Sequence, residues 1–493
     1  MKTKLFSSAA ALLLLTCSVL SCGEAASAPS ADTNAGNTPE SEAETAEPTY
    51  LDTMGEKDFG GASFKYICPE NTLVKELNVH SGALTGDAMN DAQYLRDQQL
   101  EDRYNVKIEY PRLDSPSTSV KNSVLAGDSI ADIYIDSLCD GKSNMGPIST
   151  QGLLYNLLEV PYLQLDKEWW SPLMYQNLQY KGKMFYTSGD IAPFSYIGPA
   201  CIYMNLKLSE NYDIPENDIY QAVYDGKWTF DMLYSYTHGI DQDLNGDGKM
   251  HCLDDFYGIV NEYNNLTSSL LLVACGLHLC DYDPAKDALV VDLGTDKVVA
   301  AIDKMASQFV TINNNGDNTL MFDQTFKNDR ALFALHYTES TLRRFRDMNS
   351  DYVILPMPKL DEAQESYVSY INPWVYAFVS VPLVQENIEK TGFIIEAMEY
   401  LSVEDVRPAV YEITLKGKAL RNQDSLAMLD LVFDTTYIDF CGIYEFGGVI
   451  STVNNAMFNK KGYLSSYEKV RPRSKRRSRT LPSCLRKAEI NHK

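Results

Sequence analysis

The sequence predicts an α/β fold built on a largely parallel sheet, and three observations support this class. Strand-like and helix-like segments alternate from residue 63 to residue 135. The chain has 493 residues, of which 45% are hydrophobic, so it can bury sizeable cores. Beyond the first 21 residues, no uninterrupted apolar run approaches the ~18 residues expected of a membrane-spanning helix.

The elements follow in order. Residues 63–68 form a strand that Pro69 ends. Residues 87–104 form an amphipathic helix with Met89, Leu95, Leu100 and Tyr104 on one half and Asp97 outside it. A strand at 106–110, a helix at 120–126 and a strand at 131–135 complete the pattern. Ligands of such sheets bind beyond the carboxyl ends of the strands, here residues 69–72 and 136–139.

The N-terminus indicates export. Lys2 and Lys4 precede an apolar stretch at 9–20, which is too short to span a membrane and ends at Cys22. This arrangement resembles the lipobox of bacterial lipoproteins, so we predict a signal peptide at 1–21 and lipidation of Cys22; an ordinary secretory signal is the alternative. Residues 22–57 are predicted to be a flexible tether. The protein would then be held at the cell membrane by lipid alone, facing the extracellular or periplasmic side.

Charge is unevenly distributed. The net charge is −24, but residues 469–493 carry ten Lys/Arg and one Glu, so this tail is +9 and the other 468 residues are −33. An acidic body argues against a nucleic-acid partner. The cysteines contain no CxxC pair, and we predict that those remaining after removal of the signal peptide and lipidation are mainly buried small hydrophobes.

A series of short motifs, in a fixed order from about Phe59 to Glu468, resembles the family 1 extracellular solute-binding proteins, the sugar-binding lipoproteins of ABC importers. The motifs are NDAQYLR (90–96), LEDRYNVKI (100–108), VLAGD (124–128), ADIY (131–134), GLLYNL (152–157), LDKEWW (165–170), YKGKMFY (180–186), YMNLKL (203–208), GKWT (226–229), DRALF (329–333), ILPMPK (354–359) and PAVY (408–411).

The resemblance implies a two-lobe, type II periplasmic-binding-protein-like fold with hinge crossovers at 184–202, near 360 and at 403–408. Lobe one would comprise 58–190 with 361–405, and lobe two 195–360 with 406–468. The implied function is capture of an extracellular solute, a sugar or oligosaccharide, for delivery to an ABC transporter permease by a monomeric protein that is not an enzyme. The resemblance also implies ligand contacts at Asp136, Asp190, Tyr337 and Trp374. The alternatives are a helix cap for Asp136 and packing or hinge support for Trp374.

One loop resembles an EF-hand or dockerin calcium loop. Oxygen ligands would come from the Asp243, Asn245 and Asp247 side chains, the Lys249 carbonyl and the closing carboxylate of Asp254. We predict a structural Ca²⁺ there and no organic cofactor; a metal-free Asx- and Gly-rich turn is the alternative.

The sequence also fits two other functions. A surface carbohydrate-binding or adhesin lipoprotein is one, and a secreted glycoside hydrolase is another, since any acidic chain contains candidate carboxylate pairs. We assign no catalytic residues. For the basic tail, an anionic-lipid or teichoic acid patch is one interpretation. We favour a frameshift, because a permissible choice of codons after Val470, read two bases later, encodes an acidic amphipathic helix.

Overall fold

Two separate β-sheets organise the chain. The computed structural model describes residues 49–70, 78–139, 145–193, 198–262, 265–283, 285–286, 288–308, 322–374, 378–416, 422–459 and 462–486. Its strands are β1 (Ala62–Pro69), β2 (Val106–Glu109), β3 (Arg112–Leu113), β4 (Ile133–Asp136), β5 (Ala200–Asn205), β6 (Tyr257–Asn261), β7 (Asp281–Asp283), β8 (Ala288–Val290), β9 (Ala331–Tyr337), β10 (Tyr352–Leu355), β11 (Ser369–Tyr370), β12 (Phe378–Ser380) and β13 (Thr436–Tyr437).

Helices surround these sheets. They are α1 (Tyr50–Met54), α2 (Ala88–Tyr104), α3 (Pro116–Ala126), α4 (Met145–Ser149), α5 (Pro172–Asn177), α6 (Leu206–Asn211), α7 (Glu216–Tyr224), α8 (Phe230–Thr237), α9 (Asn265–Ala274), α10 (Asp296–Gln308), α11 (Phe322–Lys327), α12 (Ser340–Arg343), α13 (Ile388–Leu401), α14 (Arg407–Lys416), α15 (Gln423–Asp434), α16 (Phe440–Tyr444), α17 (Val449–Asn459) and α18 (Tyr463–Arg486). A 3₁₀ turn covers Leu157–Glu159 and a π-helical segment covers Ser402–Val406.

The first sheet has the order β12-β4-β1-β2, with β3 also paired to β1. β1 runs parallel to β2, β3 and β4, whereas β12 runs antiparallel to β4. The predicted alternation of strands and helices between residues 63 and 135 is confirmed, because each predicted element overlaps one of β1, α2, β2, α3 and β4. The predicted α/β class is therefore correct.

The second sheet has the order β10-β5-β9-β6. β5 is antiparallel to β9 and β10, and β6 is parallel to β9. Every residue of β9 is buried, which explains its nearly continuous apolar sequence. One face of the sheet joins the large core that also covers the first sheet, and the other face packs on a smaller cluster that includes Tyr203, Phe326 and Tyr352.

The chain passes between the two sheets three times. Thr187 still pairs with Val379 beside the first sheet, and β5 opens the second sheet at Ala200. The chain returns between β10 and β12, and it leaves again after α13 through the π-helical segment to α14 and α15, of which α15 packs against β10. These passages give the fold its hinge crossovers, while the lobe limits at 58–190 with 361–405 and 195–360 with 406–468 stay predictions.

The helix α2 corrects one sequence expectation. Its ends agree with prediction: the Asp87 side chain accepts a hydrogen bond from the Asn90 amide, and Asn105 closes the helix in the left-handed region at φ 48°. Leu95, however, is 54% exposed, while Arg96 and Asp97 are buried. Their burial is tolerated because the two charges pair with each other, with Arg96 Nε 2.8 Å from Asp97 Oδ1.

The N-terminal helix shortens the predicted tether. The Tyr50 ring centroid lies 4.2 Å from that of Trp169 and 5.2 Å from that of Tyr400, and the Tyr50 hydroxyl donates to Glu396 Oε1 at 3.2 Å. This aromatic anchor fixes α1, so the tether prediction for 22–57 was wrong for residues 50–54. The predicted signal peptide, Cys22 and the earlier part of the tether lie outside the described residues.

The helix α18 continues into the basic tail. Tyr467, Ser474 and Ser478 are buried on one face, at helical spacing, while the basic side chains Arg473, Lys475, Arg476 and Arg477 are exposed. Pro472 lies inside the helix, where its missing N–H removes a backbone hydrogen bond. The break that the sequence indicates after Val470 is thus absent from the backbone of this helix.

Two further observations complete the fold. Seven cysteines of the described part of the chain are buried and form no disulfide bond: 68, 139, 201, 252, 275, 280 and 441. Their burial agrees with the prediction of small hydrophobic roles. No helix within the described residues has both the length and the apolarity needed to cross a membrane.

Candidate ligand-binding site

The carboxyl end of β4 meets the passage that returns from the second sheet. The backbone N–H groups of Leu138 and Cys139 both donate to the Pro373 carbonyl, at 2.9 and 3.2 Å. Residues 372–374 therefore lie directly beyond the strand end at which an α/β sheet usually binds its ligand. This contact defines the centre of the candidate site.

Asp136 ends β4 at this position and is buried. Its Oδ2 accepts hydrogen bonds from the Ser117 hydroxyl at 2.7 Å and the Ser117 amide at 3.2 Å, and its Oδ1 accepts from the Ser137 amide at 2.8 Å. These contacts place the carboxylate at the start of α3, where the helix dipole favours a negative charge. The cap considered as an alternative in the sequence thus exists, and a ligand contact for Asp136 stays a prediction.

Asn372 joins two of the predicted contacts, Tyr337 and Trp374. Its side chain hydrogen-bonds the Tyr337 hydroxyl at the end of β9, and its Oδ1 accepts from the Trp374 amide at 2.9 Å. Tyr337 is buried and Trp374 partly exposed. The structure therefore brings a residue of the second sheet and one of the passage to the same place, beside the end of β4.

Asp190 lies elsewhere, at the start of the first passage. It is buried against the Arg407 guanidinium, with Arg407 Nε 3.0 Å from Oδ2. Arg407 follows the π-helical segment of the third passage. The contacts of Asp190 thus connect two passages, and a ligand contact for this residue stays a prediction.

The helix α16 closes the site from the other side. The Tyr444 hydroxyl lies 3.0 Å from the Ser149 hydroxyl at the end of α4 and 3.0 Å from the Tyr186 hydroxyl. Cys139 Sγ lies 3.2 Å from the Ile443 carbonyl oxygen. Gly442 is required here, because a Cβ at this position would lie 2.1 Å from the Tyr370 hydroxyl oxygen.

Sequence reasoning missed Glu262, Asn372 and Tyr444. Glu262 follows β6 directly, so the carboxyl-end rule would have found it if residues 257–261 had been recognised as a strand. Asn372 comes shortly after the two-residue strand β11, and Tyr444 ends the short helix α16. Only the folded chain shows what these two side chains contact.

The predicted calcium loop is an exposed turn held by its own side chains. Asp243 accepts from the amides of Gly246 at 2.7 Å and Gly248 at 2.8 Å. Asn245 and Asp247 each accept from the amide two residues further on, at 2.9 and 2.8 Å. These are the Asx turns expected of such a sequence.

The closing residue of this loop differs from expectation. Asp255, which is fully buried, accepts from the amides of Leu244 at 2.9 Å and His251 at 2.6 Å, whereas Asp254 lies 3.3 Å from His251 Nδ1. In the described part of the chain, no group of three or more His, Cys, Asp or Glu side chains is gathered closely enough to hold a metal ion. Calcium bound by Asp243, Asn245, Asp247, Lys249 and Asp254 therefore stays a prediction.

This architecture defines a class: an α/β protein of two sheets joined by three passages, with a candidate site at the strand ends between them. The two-lobe, type II fold predicted from the sequence is confirmed, because solved structures of substrate-binding proteins of ABC transporters share this fold over most of the chain. MalX from Streptococcus pneumoniae, in complex with maltopentaose, has this fold with a TM-score of 0.54 and 12% identity, over 84% of this chain and 100% of that chain.

Two further solved structures are similar. A solute-binding protein of an ABC transporter from Thermotoga lettingae, bound with α-D-tagatose, gives a TM-score of 0.51 at 13% identity, over 86% of this chain and 100% of that chain. An ABC substrate-binding protein from Listeria monocytogenes, in complex with cycloalternan, gives 0.51 at 10% identity, over 85% and 99%. No protein-family profile and no curated protein matches the chain.

Proposed function

We propose that this protein captures an extracellular sugar or oligosaccharide between its two lobes and delivers it to the permease of an ABC transporter. The observation that carries the proposal is the fold, which matches ABC sugar-binding proteins along nearly their full length. The site supports it, because Tyr337, Trp374 and the Asn372 amide offer the aromatic faces and fixed polar groups that a sugar needs.

The mechanism is closure of the lobes around the ligand. A ligand that contacts both sheets binds the closed arrangement better and shifts the population toward it. The Tyr444 hydrogen bonds to Ser149 and Tyr186 join elements on the two sides of the site and would strengthen in the same closed state. The permease would then recognise the closed, loaded form.

The remaining features fit an anchored receptor. Lipidation of Cys22 would hold the monomeric protein at the membrane on the extracellular or periplasmic side, with residues 23–49 as the spacer. A calcium ion in the 243–254 loop would be structural. The protein would turn over none of its ligands, so we propose no enzymatic step.

A sugar screen tests the proposal. Mono- and oligosaccharides are added to the purified chain without its signal peptide, and a rise in melting temperature identifies ligands. Small-angle scattering then measures compaction, and chromatography checks that the sugar is not consumed. Failure of every sugar to stabilise the protein would contradict the proposal; binding without compaction would favour an adhesin, and consumption a hydrolase.

A variant pair adds a control at the site. Trp374→Ala should weaken sugar binding about 3- to 10-fold, the value expected when one aromatic contact is lost. Tyr224→Ala removes an aromatic side chain that is 53% exposed on α7 and should leave affinity unchanged. Equal sugar affinities for the two variants would contradict the assignment of Trp374 as a ligand contact.

A further inference from the structure

Glu262 lies at the edge of the second sheet that faces the candidate site. It follows β6, which runs parallel to β9 with Asn261 opposite Leu335. Glu262 and Tyr337 therefore emerge from neighbouring strands at the same edge. About a fifth of the Glu262 side chain, 20%, is exposed, whereas most of its surroundings are buried.

A buried histidine fixes this carboxylate. His336 Nε2 lies 3.2 Å from Glu262 Oε2, and His336 Nδ1 lies 2.7 Å from the Ser340 hydroxyl. Phe322 stacks on the imidazole with ring centroids 4.7 Å apart. If the Ser340 hydroxyl donates to Nδ1, the proton of a neutral ring sits on Nε2; a charged ring carries protons on both nitrogens. In both cases Nε2 donates to Glu262.

The Ser340–His336–Glu262 chain resembles a nucleophile–base–acid triad in composition only. The Ser340 side chain is completely buried, so no substrate can reach its hydroxyl. Geometry therefore favours a supporting role for Ser340 and His336, with Glu262 as the member that reaches the surface.

Glu262 also faces the groups already placed at the site. Glu262 follows β6 and Tyr337 ends the neighbouring parallel strand β9, and the Glu262 charge adds to burial in raising the pKa of Tyr337. The Tyr337 hydroxyl in turn bonds Asn372, and Pro373 bonds the end of β4. A ligand bound between Trp374 and β4 would thus face the Glu262 carboxylate on the side of the second sheet.

We propose that Glu262, positioned by His336, contacts the ligand and determines its charge class. An ionised carboxylate accepts hydrogen bonds from the hydroxyls of a neutral saccharide and repels the carboxylate, sulfate or phosphate of an anionic one. The nearby Arg343 is paired with Glu339, and Arg344 lies over the Phe322 ring. The site therefore selects neutral saccharides over uronates and phosphorylated sugars. This inference rests on the proposed function.

The test uses two matched probe sets, neutral malto-oligosaccharides and oligogalacturonides of the same lengths, with the full mature chain in calorimetric titrations. Glu262→Gln should weaken the best neutral ligand about 10- to 100-fold, as expected for losing a charged hydrogen-bond acceptor. It should also reduce the preference for neutral over anionic probes. Glu210→Gln, an exposed carboxylate on α6, is the matched control and should change neither.

The role of His336 is tested by coupling. His336→Asn alone should weaken ligand binding. Combined with Glu262→Gln, it should add little further loss, because His336 acts through the Glu262 carboxylate. Partial misfolding of a variant lowers the number of active sites but leaves the ratio of neutral to anionic affinities unchanged. The ratio therefore remains informative even for a poorly folded variant.

The outcomes separate the two proposals. If no probe and no sugar of the wider screen binds the wild type, the proposed function fails and this inference with it. If the wild type binds neutral sugars but Glu262→Gln binds them equally well with the same ratio, the inference alone is overturned. Tighter binding of oligogalacturonides by the wild type would overturn it too. Loss of neutral affinity together with a reduced ratio supports it.

Discussion

Two buried carboxylates, Asp190 and Glu399, lie next to each other where the passages meet, and Asp190 is paired with the Arg407 guanidinium. This cluster gives the sharpest stability prediction. Asp190 accepts from Arg407 Nε at 3.0 Å and Nη2 at 2.5 Å. Glu399, fully buried on α13, accepts from the amides of Asp190 at 2.9 Å and Ile191 at 2.8 Å. Gly189 is required, because a Cβ there would lie 2.2 Å from Glu399 Oε1.

Burial sets the protonation of this cluster. Burial raises the pKa of Asp190, and the Arg407 charge and its hydrogen bond lower it in part. Burial also raises the pKa of Glu399 well above its ordinary value, and the neighbouring Asp190 charge raises it further. Both carboxylates therefore hold protons more tightly in the folded state than in the unfolded chain.

Replacing Arg407 by Met removes the cation that is hydrogen-bonded to Asp190. Breaking a buried ion pair costs about 3–5 kcal/mol. We lower this to about 2–4 kcal/mol because 32% of the Arg407 side chain is exposed to solvent. The loss should be largest at pH 8. Carboxyl groups of the unfolded chain have a pKa of about 4, so as the pH falls both buried carboxylates become neutral in the folded protein before they do in the unfolded chain. The loss of unfolding free energy caused by Arg407→Met should therefore shrink to about 1 kcal/mol at pH 5.

Urea unfolding of the wild type and Arg407→Met at both pH values measures this. Arg346→Met, an exposed arginine after α12, is the matched control and should change the free energy of unfolding by less than about 0.5 kcal/mol at either pH. A loss at pH 8 that matches the control, or one that does not decrease at pH 5, would refute the electrostatic argument.

Three further predictions concern other sites. Glu396→Gln should lower the free energy of unfolding in urea by about 1–3 kcal/mol, because its two carboxylate oxygens accept the indole N–H groups of Trp169 and Trp170, each at 2.9 Å, and the new amide offers only one acceptor oxygen. The exposed control Glu386→Gln should leave the free energy of unfolding unchanged, and equal losses for the two variants would contradict the argument. Calcium added to EDTA-treated protein should raise the melting temperature, and Asp243→Asn should abolish this rise. An unchanged melting temperature in the wild type would contradict the predicted calcium site. Pro472→Ala should stabilise the protein by about 1–3 kcal/mol if α18 is continuous, and an unchanged stability would show that the helix ends before it.

The basic tail has a separate, genetic test. The buried Ser474 hydroxyl has no hydrogen-bond partner in the structure, and Pro472 interrupts the helical hydrogen bonds. Both features fit a segment whose sequence was not selected for this helix, as the hypothesis of a frameshift after Val470 requires. Resequencing the 3′ end of the gene decides it, and an intact reading frame removes the idea.

Local patterns were sufficient to predict β1, α2, β2, α3 and β4, but not the strands β3 and β12 of the same sheet. Periodicity and the caps at Asp87 and Asn105 depend on neighbours in the sequence, so α2 was predicted with nearly correct ends. The same patterns misjudged Asp97, because its burial depends on Arg96, His80 and Tyr110, which come together only in the folded chain.

From the sequence alone we could predict the α/β class, the order of strands and helices from β1 to β4, and the motif order that resembles the solute-binding family. The tertiary structure decided which polar groups meet. In the folded chain, Asn372 hydrogen-bonds both Tyr337 and the Trp374 amide, and Asp190 pairs with Arg407. Glu262 lies beside the site, where His336 hydrogen-bonds its carboxylate. The cause is distance along the chain: secondary structure depends on residues a few positions apart, whereas the site also needs residues that are far apart in the sequence, such as Glu262 and His336 with a separation of 74.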